Sequence, residues 1–227
     1  MNNKLCMIRR LAVKYNTVIF DLDGTLLDTL DDLTDSVNYA MSGMGWPLRD
    51  RRDVRLFLGN GIRRLMELCS PEGISDEEFD KAFGMFKEYY EEHNQDKTAP
   101  YDGVVELMAH FKEQGIKMAI VSNKVHEAVL ALRDEFFPYV EVAIGDMPDM
   151  ARKPEPDSCY KALELLGSSK DEAVYIGDSE VDLLTAKNSG LDCITVLWGF
   201  RDKDYLIEQG ATTFVEAPEE LEKEVLN

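Results

Sequence analysis

Asp21 and Asp23 stand two residues apart at the end of a short apolar run, residues 17–20, and are followed at once by Gly24 and Thr25. The run has the length and β-branched content of a buried parallel strand. In an open α/β sheet, ligands gather outside the carboxyl ends of the strands. Residues i and i+2 both face such a site when the backbone turns out of the sheet. Gly24 permits that turn, and Thr25 can hydrogen-bond locally to support it. Two neighbouring carboxylates ionise together only with a cation between them; otherwise one keeps its proton. Either state is useful, one carboxylate as metal ligand and nucleophile and the other as proton donor.

Other polar residues recur where strands are expected to end. Ser122 and Asn123 follow an apolar run at 117–121, Lys153 opens a helix, and Asp178 ends a run at 173–176 with Asp182 one turn later. Taken singly, each has an ordinary explanation: a helix cap, a solvated lysine, an Asx-turn, an exposed carboxylate. Taken together, they fall on one edge of a parallel sheet. A hydroxyl, backbone N–H groups, a lysine and several carboxylates converging there suit phosphoryl transfer, with Mg²⁺ on the carboxylates and Lys and N–H groups on phosphate oxygens.

The elements that must position these residues read as follows. After the first strand, Thr29 is expected to cap a helix to about residue 44, stopped by Gly45 and Pro47. Short helices are expected at 51–56, with Asp50 as cap, and at 62–69. Ser75 and Glu78 form a capping box for a helix to about residue 93, whose stripe of Phe79, Ala82, Phe83, Phe86 and Tyr90 reads as packing. Strands then alternate with helices from residue 100 onward: strands at 117–121, 140–144, 173–176, 193–197 and 213–215, with Lys153-Pro154-Glu155-Pro156 opening a helix to 166. That alternation predicts an α/β fold with a doubly wound parallel sheet. The roughly 70-residue helical block after the first strand is too long for a connector. The expected division is an α/β core at 1–27 and 101–227 and an all-helical cap at 28–100, with hinges near 28 and 98–101. Within the cap, Gly59, Asn60 and Arg63 are candidates for contacting substrate. Arg63 can fork onto a carboxylate; the alternative is an ordinary surface arginine on an amphipathic helix.

The bulk properties narrow the partners. The 227 residues carry a formal net charge of −19. Nucleic acid and anionic membrane, which need basic patches, are therefore not expected partners, and an anionic substrate needs local cations to hold it. Cys6, Cys69, Cys159 and Cys193 lack metal-type spacing and read as reduced thiols of a cytoplasmic protein. No apolar run approaches membrane-spanning length. Residues 1–14 are mildly basic without a leader-type apolar segment, and Met7 is an alternative start.

Asp21-Leu-Asp-Gly-Thr25, Val121-Ser-Asn123, Lys153-Pro-Glu-Pro156 and Gly177-Asp-Ser-Glu-Val-Asp182 together resemble the four motifs of the haloacid dehalogenase-like hydrolase superfamily. The helical insertion resembles its alpha-helical type 1 cap. Gly59-Asn60-Gly61-Ile62-Arg63 and Trp198-Gly199 are most similar to phosphoglycolate phosphatases, a weaker signal shared with pyrophosphatase-like relatives. The resemblance implies a Rossmann-like core and a Mg²⁺-dependent phosphatase, a monomer or homodimer acting on a small phosphorylated metabolite such as 2-phosphoglycolate. Asp21 would be the nucleophile that forms an aspartyl-phosphate. Asp23 would protonate the leaving group and then deprotonate water. Asp21, Asp178 and the Asp23 carbonyl would hold Mg²⁺. Ser122, the Asn123 backbone and Lys153 would hold phosphoryl oxygens beside Thr25, and Asp182 would orient Lys153 or a metal-bound water. Pyrophosphate, a sugar phosphate, a nucleotide or a phosphomutase reaction fits the same scaffold. A non-catalytic binding protein would be expected to have lost one of Asp21, Asp23, Lys153 or Asp178, and all four are present.

Overall fold

A computed structural model describes residues 13–227; Cys6, Met7 and most of the basic N-terminal stretch lie outside the described residues. The principal sheet has six strands, and every pairing in it is parallel. They are β1 (Thr17–Phe20), β4 (Lys117–Val125), β5 (Val142–Asp146), β6 (Ala173–Gly177), β7 (Asp192–Val196) and β8 (Phe214–Val215), in the order β5-β4-β1-β6-β7-β8. Strand alternation sends Val18 and Phe20 to one face and Ile19 to the other. The first face packs on helices α5 (Val104–Gln114), α6 (His126–Phe136) and α10 (Pro218–Leu226), around Phe111, Leu132 and Leu221. The second packs on α7 (Asp157–Leu166) and α8 (Glu180–Ser189), around Cys159, Ala162 and Ala186. Helices cover both faces, as a doubly wound sheet requires, and β1, bearing the aspartates, lies at the centre with β4 and β6 beside it.

Four helices follow β1: α1 (Leu30–Met44), α2 (Arg51–Phe57), α3 (Gly61–Cys69) and α4 (Asp76–His93). They enclose an apolar cluster of their own, including Leu33, Val37, Met41, Leu65, Met66 and Phe86. The chain leaves the sheet through β2 (Leu27–Asp28) and returns through β3 (Ala99–Pro100), and these two short segments pair antiparallel. Asp32, buried in the first turn of α1, accepts hydrogen bonds from the backbone N–H of Lys97 and from both the N–H and hydroxyl of Thr98. The crossing points are thus tied to each other before the helices begin. The last helix of the chain order not yet given, α9 (Lys203–Glu208), lies after the loop at 198–201.

Several local expectations change. Thr29 holds the N-cap position of α1, but its buried hydroxyl has no partner; the Asp28 carboxylate accepts the Leu30 N–H instead. Asp50 and the Ser75–Glu78 capping box act as expected. The two prolines after Lys153 delay α7 to Asp157, and β4 runs on to Val125 rather than ending at residue 121. No helix among the described residues is long and apolar enough to cross a membrane. Cys69, Cys159 and Cys193 are free thiols.

Candidate active site

Asp21 leaves the tip of β1 and is 7 % exposed. The turn after it needs Gly24, whose φ is +88° and where a Cβ would lie 2.5 Å from the Asp178 carboxylate. Lys153 Nζ stands 2.7 Å from Asp21 Oδ1 and 2.9 Å from Asp182 Oδ1, and it donates to the Tyr175 hydroxyl at 3.0 Å. Tyr175 in turn donates to Asp182. The other Asp182 oxygen accepts from the backbone N–H groups of Asp178 and Ser179 and from the Ser179 hydroxyl. Asp182 is thus committed to holding Lys153 and the start of α8. Asp178 accepts from the Phe200 N–H at 2.6 Å and from the Thr25 hydroxyl at 3.3 Å.

Three buried carboxylates therefore share one buried ammonium, and the electrostatics follow from that count. Burial raises the Asp21 carboxyl well above the usual carboxylate range, and the Asp182 charge adds to it, outweighing Lys153. Burial and the Asp182 charge push Asp178 up to about 7. Asp182 goes the other way: burial opposes its charge, but Lys153 and the hydrogen bonds it accepts outweigh burial and hold it low. For Lys153, burial is likewise outweighed by Asp182 and Asp21, which keep it charged. One carboxylate oxygen from each of Asp21, Asp178 and Asp182 lies within 4.8 Å of the others. This excess of buried negative charge, on hard oxygen donors, fits a divalent cation. Asp182 is already fully engaged, which leaves Asp21 and Asp178 as the side chains to hold it. The Asp23 carboxylate stands apart from this group, on Lys124, so Asp23 can join a metal only through its backbone carbonyl.

On the other side of Asp21, β4 breaks its ladder with β5 between Val121 and Val125. The irregularity ends the strict in–out alternation, and Ser122, Asn123 and Lys124 are all buried in succession. The Asn123 side chain holds two elements at once. Its oxygen accepts the Lys153 N–H, and its amide donates to the carbonyls of Lys153 and Gly59. Lys124 Nζ lies 3.2 Å from Asp23 Oδ1 and also donates to the hydroxyl of Tyr90, on α4.

These residues line a cleft of about 400 Å³ between the sheet edge and the helices. Its floor includes Asp21, Asp23, Ser122, Asn123, Lys124 and Lys153; its roof includes Leu33, Leu58, Gly59, Ile62, Leu65 and Tyr90. Three sequence candidates lie elsewhere than expected. Thr25 is buried against Asp178 and does not line the cleft. Asn60 is exposed at the start of α3, outside the cleft lining. Arg63 points away: it is exposed, pairs with Glu67 at 3.6 Å and lies over the rings of Phe79 and Phe83. The α3 residues that do line the cleft are Gly61 and the apolar Ile62 and Leu65. Sequence reasoning in turn missed Lys124, Tyr90 and Arg201. The signal for Lys124 was its place directly after Ser122-Asn123; Tyr90 was visible only as one member of an apolar stripe.

The surroundings have known counterparts. The family model for haloacid dehalogenase-like hydrolases matches residues 18–196. Phosphoglycolate phosphatase 1 of Pseudomonas aeruginosa is 32% identical over 206 residues, spanning 88% of this chain and 75% of that protein. Pyrophosphatase PpaX of Halalkalibacterium halodurans is 31% identical over 199 residues, spanning 86% and 89%. A crystal structure from Lactobacillus delbrueckii subsp. bulgaricus, provisionally assigned as a phosphoglycolate phosphatase, superposes with a TM-score of 0.90 at 38% identity, over 94% of this chain and 99% of that one. With its matched segment running from β1 to β7 and containing Asp21, Asp23, Lys153 and Asp178, the chain belongs to the haloacid dehalogenase-like hydrolases.

Proposed function

We propose that this hydrolase is a Mg²⁺-dependent phosphatase that cleaves a small, anionic phosphate monoester of the 2-phosphoglycolate type through an aspartyl-phosphate. The observation that carries the proposal is the placement of two carboxylates on opposite duties. Asp21 is held among Lys153, Asp178 and Asp182, while Asp23, two residues on, faces the cleft and Lys124. The names of relatives such as the Pseudomonas aeruginosa protein support the same chemistry.

In this reading Asp21, Asp178 and the Asp23 carbonyl would hold a divalent cation, whose positive charge would let an anionic nucleophile meet an anionic phosphate. An Asp21 oxygen forms the bond to phosphorus as the bond from phosphorus to the leaving oxygen breaks. Asp23 gives its proton to that oxygen. It then takes a proton from the water that splits the aspartyl-phosphate, returning Asp21 and inorganic phosphate. Lys153, the Ser122 hydroxyl and the Asn123 N–H hold the equatorial phosphoryl oxygens, with Lys153 fixed in turn by Asp182 and Tyr175. Residues 28–100 act as a cap over residues 13–27 and 101–227. The cap's apolar roof excludes water while the core provides the charges.

Initial rates of phosphate release, with and without Mg²⁺, across 2-phosphoglycolate, pyrophosphate, hexose phosphates and nucleoside monophosphates test the proposal. A steep Mg²⁺-dependent preference for 2-phosphoglycolate is the expected result; no release from any monoester overturns it. Pyrophosphate is the second reading, favoured by the similarity to the Halalkalibacterium halodurans pyrophosphatase, and its winning the panel would replace the first.

A further inference from the structure

The buried cation nearest the leaving-group side of the cleft is Lys124, which lies outside the four motifs that resemble the superfamily. Its side chain is 6 % exposed, and it lines the same cleft as Asp21 and Lys153. Lys153 is engaged on the phosphoryl side, with Asp21 and Asp182. Lys124 is engaged on the opposite side, with Asp23, the residue beside the departing oxygen in the proposed reaction. An ammonium has three N–H donors. Asp23 and Tyr90 occupy two of them among the described residues, so one remains for a ligand.

The other cations are poor candidates for that duty. Arg152 reaches the cleft but is 45 % exposed and pairs with Asp146. Lys87 is exposed and lies over the Phe83 ring, and Arg63 is outside the cleft altogether. Across the same cleft the helices contribute the apolar Leu58, Ile62 and Leu65, and Glu91 adds a negative charge. An anion pressed against that surface would lose its hydration without compensation. A leaving group carrying negative charge therefore needs a cation from the floor, and Lys124 is the buried one on its side.

We infer that the Lys124 ammonium is the counter-ion for an anionic leaving group, a carboxylate or a phosphate, and that Tyr90 of the helical layer holds it in place. The inference rests on the phosphatase reading above and specifies its substrate class. Lys124 binds the leaving group; Tyr90 is a positioning residue that acts through it.

The test is steady-state kinetics of wild type, Lys124→Met and Tyr90→Phe on 2-phosphoglycolate, pyrophosphate and 2-hydroxyethyl phosphate. The last matches the first in size but replaces its carboxylate with a neutral alcohol. Wild type is expected to prefer one of the two anionic substrates over the neutral one in kcat/KM, and which one it prefers distinguishes the carboxylate source from the phosphate source. Lys124→Met is expected to lower the anionic-to-neutral ratio of kcat/KM by about 10²-fold, as befits a charge-assisted hydrogen bond, mainly through the KM of the anionic substrate; a loss that comes through Asp23 falls on all substrates alike and leaves that ratio unchanged. Tyr90→Phe is expected to lower the anionic-to-neutral ratio in the same direction by a smaller factor, about 5-fold. It also serves as the readout should Lys124→Met fail to fold. Equal losses on all three substrates, or an unchanged ratio in Tyr90→Phe with Lys124→Met unfolded, overturn the inference and leave the phosphatase reading standing. A wild type without preference for an anionic leaving group does the same. A wild type that releases phosphate from none of the three overturns the phosphatase reading and this inference with it.

Discussion

Arg201 of the core donates through Nη2 to the Leu58 carbonyl of the helical layer at 2.7 Å, while its other nitrogens hold Glu180 and the Arg55 carbonyl. Its side chain is 5 % exposed. The adjacent Gly59 carbonyl is held from the other side by Asn123. The roof segment at 58–59 is thus clamped between two core residues, next to the cleft it covers. Removing Arg201 strips two carbonyls and leaves Glu180 half-buried without its partner. Arg201→Ala is expected to cost about 1–3 kcal/mol, and to lower kcat/KM by about 10-fold as the roof loses its register. Arg55→Ala is the comparison: Arg55 pairs with Asp202, which is 73 % exposed. That change should cost under about 1 kcal/mol. Thermal melts and rates on both variants check this, and equal effects would show the buried clamp to be no more than a surface contact.

Asp21→Asn keeps the shape of the side chain and removes its charge. Lys153 retains Asp182 and Tyr175, and a carboxylate whose charge burial disfavours is gone. The expected outcome is a protein at least as stable as the parent with phosphate release reduced by at least about 10³-fold. Near-normal turnover would remove Asp21 as the nucleophile.

Much of this architecture is legible in the residues, and the illegible parts share a cause. Alternating apolar runs and capped helices reveal the parallel sheet and the long helical interruption, because those are local periodicities. Asp21, Lys153, Asp178 and Asp182 are legible because they fall at strand ends and helix starts. Lys124 is not, because polar residues after Val121 look like a strand that has ended, whereas the ladder irregularity carries β4 on to Val125 and turns three successive side chains inward. Arg63 and Arg201 illustrate the same limit. Both are arginines near short helices, and only tertiary packing sends one onto half-buried aromatic rings and buries the other between two carbonyls and a glutamate.

The buried carboxylates also predict how stability responds to pH in the metal-free protein. Asp178 is pushed up to about 7 in the folded state, against about 3.9 in an unfolded chain. Between those values the folded protein keeps a proton that the unfolded chain has lost. The contribution of Asp178 to stability therefore falls as pH rises from about 4 to about 7 and then levels off. Asp21 is shifted in the same direction and adds to the effect, whereas Asp182, held low, contributes stability that is lost only as pH falls below about 4. A divalent cation binds the deprotonated form, so Mg²⁺ should raise the melting temperature more at pH 8 than at pH 5. Melts at the two pH values, with Mg²⁺ and with a chelator, check this; an equal rise at both would place the bound cation away from Asp178.

Gly199 joins the two halves of the site by having no side chain. A Cβ there would lie 2.3 Å from the Gly24 carbonyl and 2.4 Å from the Asp178 Cβ. Neither is the loose end of a flexible chain: one is backbone in the turn after Asp23, and the other anchors a carboxylate already fixed by the Phe200 N–H. Next to it, Trp198 donates to the Thr25 carbonyl at 3.0 Å, fastening the loop to the same turn. Gly199→Ala must therefore move the turn, Asp178 or both. Overpacking of this kind costs about 1–3 kcal/mol, and displacing catalytic groups by a fraction of an ångström lowers rates disproportionately. The expected variant is folded, modestly destabilised, with kcat reduced by more than about 10-fold and Mg²⁺ required at higher concentration. Gly210→Ala, where φ is +97° and no atom lies within 4 Å of the added Cβ, should show the backbone cost alone, of similar size in stability but without the change in Mg²⁺ requirement. If the two variants respond alike to Mg²⁺, the close approach of Gly199 to Asp178 has no bearing on the carboxylates proposed to hold the cation.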